Sequence, residues 1–249
     1  MNNKQREIWE EKAKTFERFK QNNSDTLEIL NFFKEFGVNF NNKSIIDIGC
    51  GNGRFALELA NSASSVLCLD ISKNMLDDLH SDCLSLGLKN ISIKCADFDE
   101  SYKDLGAFDI VFGAMTPALN NEKSFLNALN LAKEYFCYVG WGRYRQDGLT
   151  QEVLEAHGAN LILPKGLPDA LKWLENADKS PITYKYFKQN FTKMLSLDDA
   201  INRTKIQCKM SLASVDEKLC AKIISKYADT NKMVKLTHSR EIGAMIISK

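Results

Sequence analysis

Three glycines at alternate positions, Gly49, Gly51 and Gly53, follow a short apolar run at residues 44–48 and lead into a helical stretch. Glycine at this spacing lets the chain turn sharply and lets a ligand approach the backbone closely. The crevice at the carboxyl end of the first strand is where open α/β sheets bind ligands. A dinucleotide fingerprint would be GxGxxG. Here the third glycine comes one residue early, and Arg54 stands where that fingerprint wants glycine. The spacing therefore argues against a nicotinamide or flavin dinucleotide. Asp47, two residues before Gly49, adds negative charge that suits a cation better than a phosphate.

Three further elements follow in order. Asp70 closes the run Val66-Leu-Cys-Leu-Asp70, 17 residues after Gly53. Cys95-Ala-Asp97-Phe98 closes another apolar run, and residues 108–112 form a fourth, followed by Gly113-Ala-Met115-Thr116-Pro117. Over residues 44–141 this series resembles the class I S-adenosylmethionine (SAM)-dependent methyltransferases. The phrase as a whole is similar to a bacterial subgroup with a Met-Thr-Pro loop and a Trp-bearing N-terminal helix; Trp9 is the counterpart here. The resemblance implies SAM as cofactor, S-adenosylhomocysteine as product and no metal. It implies that Asp47, Gly49, Gly51, Asn52 and Gly53 receive the amino acid end of SAM. Asp70, with Ile71 and Met75, would take the ribose, Asp97 and Phe98 would sit beside the adenine, and Gly113 would face the methyl group. Two plainer readings stay open: Asp70 as a cap on the helix that Ser72 begins, and Asp97, Asp99 and Glu100 as a solvated acidic loop.

No catalytic dyad is evident, and methyl transfer does not demand one. In-line displacement from a sulfonium needs chiefly alignment and exclusion of water, with a general base only where the nucleophile carries a proton. On the acceptor side, methyltransferases of nucleic acid amines that resemble this fold carry Asn/Asp-Pro-Pro-aromatic after the fourth strand. Residues 115–118, Met-Thr-Pro-Ala, lack both the amide or carboxylate and the aromatic. Thr116 remains a candidate, as do Trp141, Arg143, Tyr144 and Arg145 in the run leaving the fifth strand. An arginine there could hold an anionic group while Tyr144 orients it; an ordinary cationic loop with a packed Trp is the alternative. His80, His157 and His238 are scattered, and none stands out as a general base.

These residues need a scaffold, and the pattern supplies one. Helical stretches at 54–61, 73–86 and 122–133 alternate with apolar runs at 66–70, 91–94, 108–112 and 135–141. That alternation predicts an α/β, Rossmann-like fold: a mainly parallel sheet with helices on both faces. The resemblance adds seven strands in the order 3-2-1-4-5-7-6, the last antiparallel. Ahead of the sheet, residues 2–20 read as a polar helix with Ile8, Trp9, Ala13, Phe16 and Phe19 on one face, and residues 24–36 as a second. Residues 1–43 are therefore expected as N-terminal helices on the lid or substrate side. Residues 44–249 are expected as the SAM-binding domain, with a less regular elaboration at 142–181 punctuated by Gly158, Pro164, Gly166, Pro168 and Pro181. Residues 182–187 and 241–248 read as strands, and 196–199 and 214–217 as capping boxes opening two late helices.

Composition narrows the class. The chain has 249 residues with a formal charge of +1, 44% hydrophobic and 26% charged, which excludes disordered and disulfide-scaffold chains. The neutral total hides a division. Residues 44–139 carry 7 basic and 13 acidic side chains, and residues 140–249 carry 18 and 12. Seven dispersed cysteines without a CxxC pair point to reduced thiols rather than zinc. The charged N-terminus lacks an export signal, and no apolar run approaches the ~20 residues of a membrane span, so a cytoplasmic location is expected. The expected activity is methyl transfer to a small, anionic acceptor by a monomer or homodimer without a membrane. The alternatives are methylation of tRNA or protein, or a non-catalytic SAM-binding module.

Overall fold

The computed structural model describes residues 3–209 and 211–249, with the side chains of residues 3–5 left aside. Seven strands form one mixed sheet in the order β3-β2-β1-β4-β5-β7-β6. They are β1 (Ser44–Ile48), β2 (Ser65–Asp70), β3 (Ile91–Cys95), β4 (Phe108–Ala114), β5 (Ala132–Asp147), β6 (Thr183–Ser196) and β7 (Met233–Ser248). Six run parallel and the last is antiparallel, as the resemblance implies. β1 lies between β2 and β4, with Asp47 opposite Cys68 on one side and Phe112 on the other. Ile45, Ile46 and Ile48 are fully buried, as a central parallel strand covered on both faces requires.

The chain divides into two compact units: residues 1–140, 165–186 and 243–249, and residues 141–164 and 187–242. In the first unit α1 (Asn3–Ala13) and α2 (Ser24–Glu35) precede the sheet; α3 (Ala56–Leu59), α4 (Lys73–Leu86), α5 (Phe98–Ser101), α6 (Glu122–Leu131) and α8 (Leu167–Asn176) complete it. Its core is aromatic. Phe33 meets Phe112 edge-on at 5.7 Å, and Phe125 meets Tyr138 at 5.2 Å and Trp173 at 5.6 Å. Such pairs add specific geometry to the burial of large rings. The second unit packs α7 (Gly148–Ala156), α9 (Leu197–Lys209) and α10 (Glu217–Ser225) around Val153, Leu154, Cys208, Cys220, Ile224 and Val234. His157 ties two of these helices together: one ring nitrogen pairs with the Val153 carbonyl at 2.7 Å, and the other accepts from the Asp216 N–H at 2.9 Å.

Several element boundaries differ from the sequence reading. α1 ends at Ala13 rather than near residue 20, because Lys14, Thr15 and Phe16 donate to carbonyls three residues back and tighten the chain into a turn. α2 is capped by Asn23, whose side chain accepts from the Thr26 N–H. Asp216, not Ser214, caps α10. α8 arises inside the stretch that looked irregular. Pro168 occupies its first turn, where no backbone donor is needed, and the Gly166 N–H donates to Asp169 Oδ2 at 3.0 Å.

Candidate active site

The loop after β1 is built by backbone geometry. Gly49 has φ +66°, and a Cβ there would lie 1.8 Å from Thr116 Oγ1, so only glycine admits the approach of the 113–119 loop. Gly51 has φ +55° with nothing within 4 Å of its absent Cβ, which leaves its backbone face open. The Gly49 and Cys50 N–H groups both donate to the Leu69 carbonyl, at 2.7 and 3.1 Å, and Gly53 donates to Cys50 at 3.0 Å. These bonds fix the loop against the end of β2.

Asp70 joins that loop to the next helix. Its Oδ2 accepts from the Gly51 N–H at 2.9 Å and its Oδ1 from the Ser72 N–H at 2.8 Å. Each oxygen keeps acceptor capacity for a hydroxyl of a ligand. Burial pushes the Asp70 carboxyl up, against the hydrogen bonds of Ser72, Gly51 and Ile71 that pull it down. Asp47, 2% exposed, is pushed up further, to about 8, first by burial and then by the charge of Asp70. A buried carboxyl and a half-buried one that raise each other's charge cost make a site that favours a cation.

The other residues expected at the cofactor fall into three groups. Asn52, buried, donates its amide to the Glu17 carbonyl at 2.8 Å. Met75 and Phe98 are buried core residues, and Ile71 accepts a weak bond from Cys95 Sγ at 3.7 Å. Asp97 caps α5 through the Asp99 N–H at 2.9 Å, and the Ala96 N–H donates to the Asp70 carbonyl at 2.9 Å, which brings the ends of β2 and β3 together. Gly113 leaves room for Leu119, whose Cδ1 would stand 2.5 Å from a Cβ. On the acceptor side, Thr116 lies against Gly49 and accepts from the Ala118 N–H at 3.1 Å. Its neighbour Met115 has φ +52°, a strained conformation for a side chain of that size.

The remaining acceptor candidates lie in the second unit and differ in what they touch. Arg143 is engaged by Glu241, a buried carboxylate that takes its Nε at 2.7 Å, its Nη2 at 2.8 Å and its backbone N–H at 3.0 Å. Arg145 lies over Trp141, 5.3 Å from the ring centre. Tyr144 is half-buried.

Some residues escaped the sequence reading. Arg54, which stands in the glycine position of a dinucleotide loop, turns to the start of α2 and donates to Thr26 Oγ1 at 2.7 Å. Glu10 on α1 reaches the N-terminus of α4, taking the Lys73 N–H at 2.7 Å, the Asn74 N–H at 3.0 Å and the Ser72 hydroxyl at 3.0 Å. A carboxylate at a helix N-terminus satisfies orphan donors and complements the dipole. A glutamate in a polar helix carries no local signal of this. Among the described residues no cluster of His, Cys, Asp or Glu is arranged to hold a metal ion. No helix among them is long and apolar enough to cross a membrane.

Comparison with known proteins gives consistent results. Residues 45–134 match the family described as "Methyltransferase domain". A zebrafish (Danio rerio) protein named EEF1A lysine methyltransferase 2 is 41% identical over 70 residues, 28% of this chain and 30% of that protein. A Haemophilus influenzae protein without a described function is 29% identical over 87 residues, 35% of this chain and 32% of its own. The chain thus spans about a third of the length of the curated relatives it matches. Among solved structures, a candidate methyltransferase of Bacillus halodurans superposes with a TM-score of 0.54 at 16% identity, over 91% of this chain and 99% of that one. A candidate RNA methyltransferase of Pyrococcus horikoshii does so at 0.52 and 13%, over 100% and 99%. At that identity the likeness is one of fold. The family match over residues 45–134, the strand order and the glycine loop agree with one another and support a class I methyltransferase fold.

Proposed function

We propose that this chain transfers the methyl group of SAM to a small, anionic acceptor. The observation that carries the cofactor assignment is the Gly51–Asp70 bond, which sets an open backbone face beside a half-buried carboxylate at the end of β2. Asp47 and the loop carbonyls would receive the ammonium group of SAM. Asp70 would accept from its ribose hydroxyls, and Asp97 with Phe98 would flank the base. The bound cofactor supplies an activated methyl on a good leaving group, so the chain has to align the acceptor and exclude water. Thr116 and the strained Met115 would shape the acceptor side. The absence of an Asn/Asp-Pro-Pro-aromatic run supports an acceptor other than a nucleobase amine, and seven cysteines without a disulfide suit a cytoplasmic protein.

Calorimetry with SAM, S-adenosylhomocysteine and NAD tests the reading. Binding of the first two with micromolar affinity and no heat from NAD is expected; binding of NAD alone overturns it. Methylation of tRNA or protein is the second reading, favoured by the similarity to a lysine methyltransferase over 70 residues. A macromolecular acceptor held through phosphates would bind with a steep dependence on salt, which a small acceptor lacks.

A further inference from the structure

Five residues from three elements far apart in sequence meet in the second unit. Arg145 and Asp147 lie on β5, Arg203 on α9, and His238 and Arg240 on β7. Asp147 is buried and caps α7 through the Thr150 N–H; it takes Arg203 Nη2 at 2.7 Å and faces Arg145 Nη2 at 3.8 Å. Arg145 also donates to Gln207 Oε1 at 3.1 Å, and Arg240 to Gln189 Oε1 at 2.8 Å. Both Arg145 and Arg240 lie against Trp141, at 5.3 and 5.5 Å. Phe191 on β6 stacks on His238 at 4.6 Å and 16°.

Charge and hydrogen bonding in this cluster are both incomplete. The charges acting on His238 are those of Arg203, Arg240 and Arg145 against the one carboxylate of Asp147. Two buried donors or acceptors inside it, Arg203 Nη1 and His238 Nδ1, have no hydrogen-bond partner. Guanidinium groups held together out of water repel one another, and a buried cationic donor left unmatched is costly. Sites that keep such an arrangement are commonly functional. The unit as a whole carries 13 basic and 9 acidic side chains, so the field over it also favours an anion.

We propose that this cluster binds the oxyanion group of a small organic molecule, a carboxylate or a phosphate. Arg203 and Arg145 supply the charge, His238 a neutral ring nitrogen, and Arg240 a third guanidinium set between Trp141 and Phe191. Burial among the three arginines holds the His238 imidazole down to about 4, so the ring is neutral at pH 7 and ready to act as a hydrogen-bonding group.

The test titrates the full-length protein with inorganic phosphate and, separately, with benzoate, at constant ionic strength and pH 7. The ring protons of His80, His157 and His238 are followed by NMR. The His238 signals are expected to move and saturate while the other two stay, and the midpoint of His238 ionisation to rise when anion is bound. Arg240→Gln and Arg203→Gln should each weaken binding about tenfold, a loss of about 1.4 kcal/mol, and Lys218→Gln, at an exposed position of the same unit, should leave it unchanged. Arg240→Gln is the safer variant because Arg203 also serves Asp147. Saturation by benzoate alone assigns a carboxylate, and by phosphate alone a phosphate. No saturation with either anion, or equal shifts in all three histidines, overturns the proposal. SAM calorimetry on the same samples keeps the readings apart: anion binding without SAM binding leaves this site standing and removes the methyltransferase reading.

Discussion

The glycine crevice of the first unit and the arginine cluster of the second each gather like charges out of water, using different parts of the chain. In the crevice the carboxyls of Asp47 and Asp70 are restrained by backbone N–H groups, from Gly51, Ser72 and Ala56. In the cluster the guanidinium groups are restrained by side chains, Asp147, Gln207, Gln189 and Trp141. A backbone-built site depends on a few positions where a Cβ is forbidden. A site built from side chains spreads its energy over many partners, so single changes should weaken it by degrees.

The sharpest way to break this contrast is Gly49→Val. The new side chain would overlap Thr116 and force a β-branched residue into a left-handed backbone. SAM affinity should fall at least about 100-fold, with a thermal midpoint lower by several degrees. Unchanged binding by calorimetry would show that the backbone does not carry the crevice.

A middle-sized effect should appear in the pH dependence of stability. The Asp47 carboxyl ionises at about 8 in the fold, against about 3.9 in an unfolded chain. Between about pH 4 and 8 the folded state therefore holds a proton that the unfolded state lacks. Stability should fall as pH rises across that window and level off above it. Urea midpoints of wild type and Asp47→Asn at several pH values measure this. The variant should lose the slope, and an identical slope in both would assign the titration to another group.

The smallest effect concerns Glu10→Ala. Its carboxylate serves two backbone donors and one hydroxyl from the far end of α1. Removal should cost about 0.3–1 kcal/mol at the helix terminus. Hydrogen exchange at the Lys73 and Asn74 amides should quicken, and SAM affinity should drop a few-fold. If exchange there stays slow, α1 is not what closes the start of α4.

The same contrast explains what could be read in advance. β1 to β4, the glycine loop and Asp70 were legible because parallel strands leave continuous apolar runs and a tight loop must show its glycines. α4 matched its expected bounds, 73–86, because Ser72 caps it and Gly87, at φ +67°, ends it. The oxyanion cluster was legible only in part. Arg145 stood out beside Trp141 as a candidate for holding an anion, but Arg203 and Arg240 lie dozens of residues away, and each alone looks like a surface cation. Arg143 attracted attention by standing beside Trp141, yet its guanidinium serves the buried Glu241. α8 was missed because Pro168 reads as a breaker unless its place in a first turn is known.

The left-handed backbone at Met115 bears on any attempt to change what this protein modifies. A library that randomises residues 114–118 would place β-branched side chains at a position that tolerates Gly, Asn or Asp far better. Much of its diversity would then be lost to misfolded loops before acceptor preference was sampled. Holding position 115 to Met, Gly or Asn, and varying Thr116 and Ala118 instead, would keep the loop's path and put the variation where it can be selected.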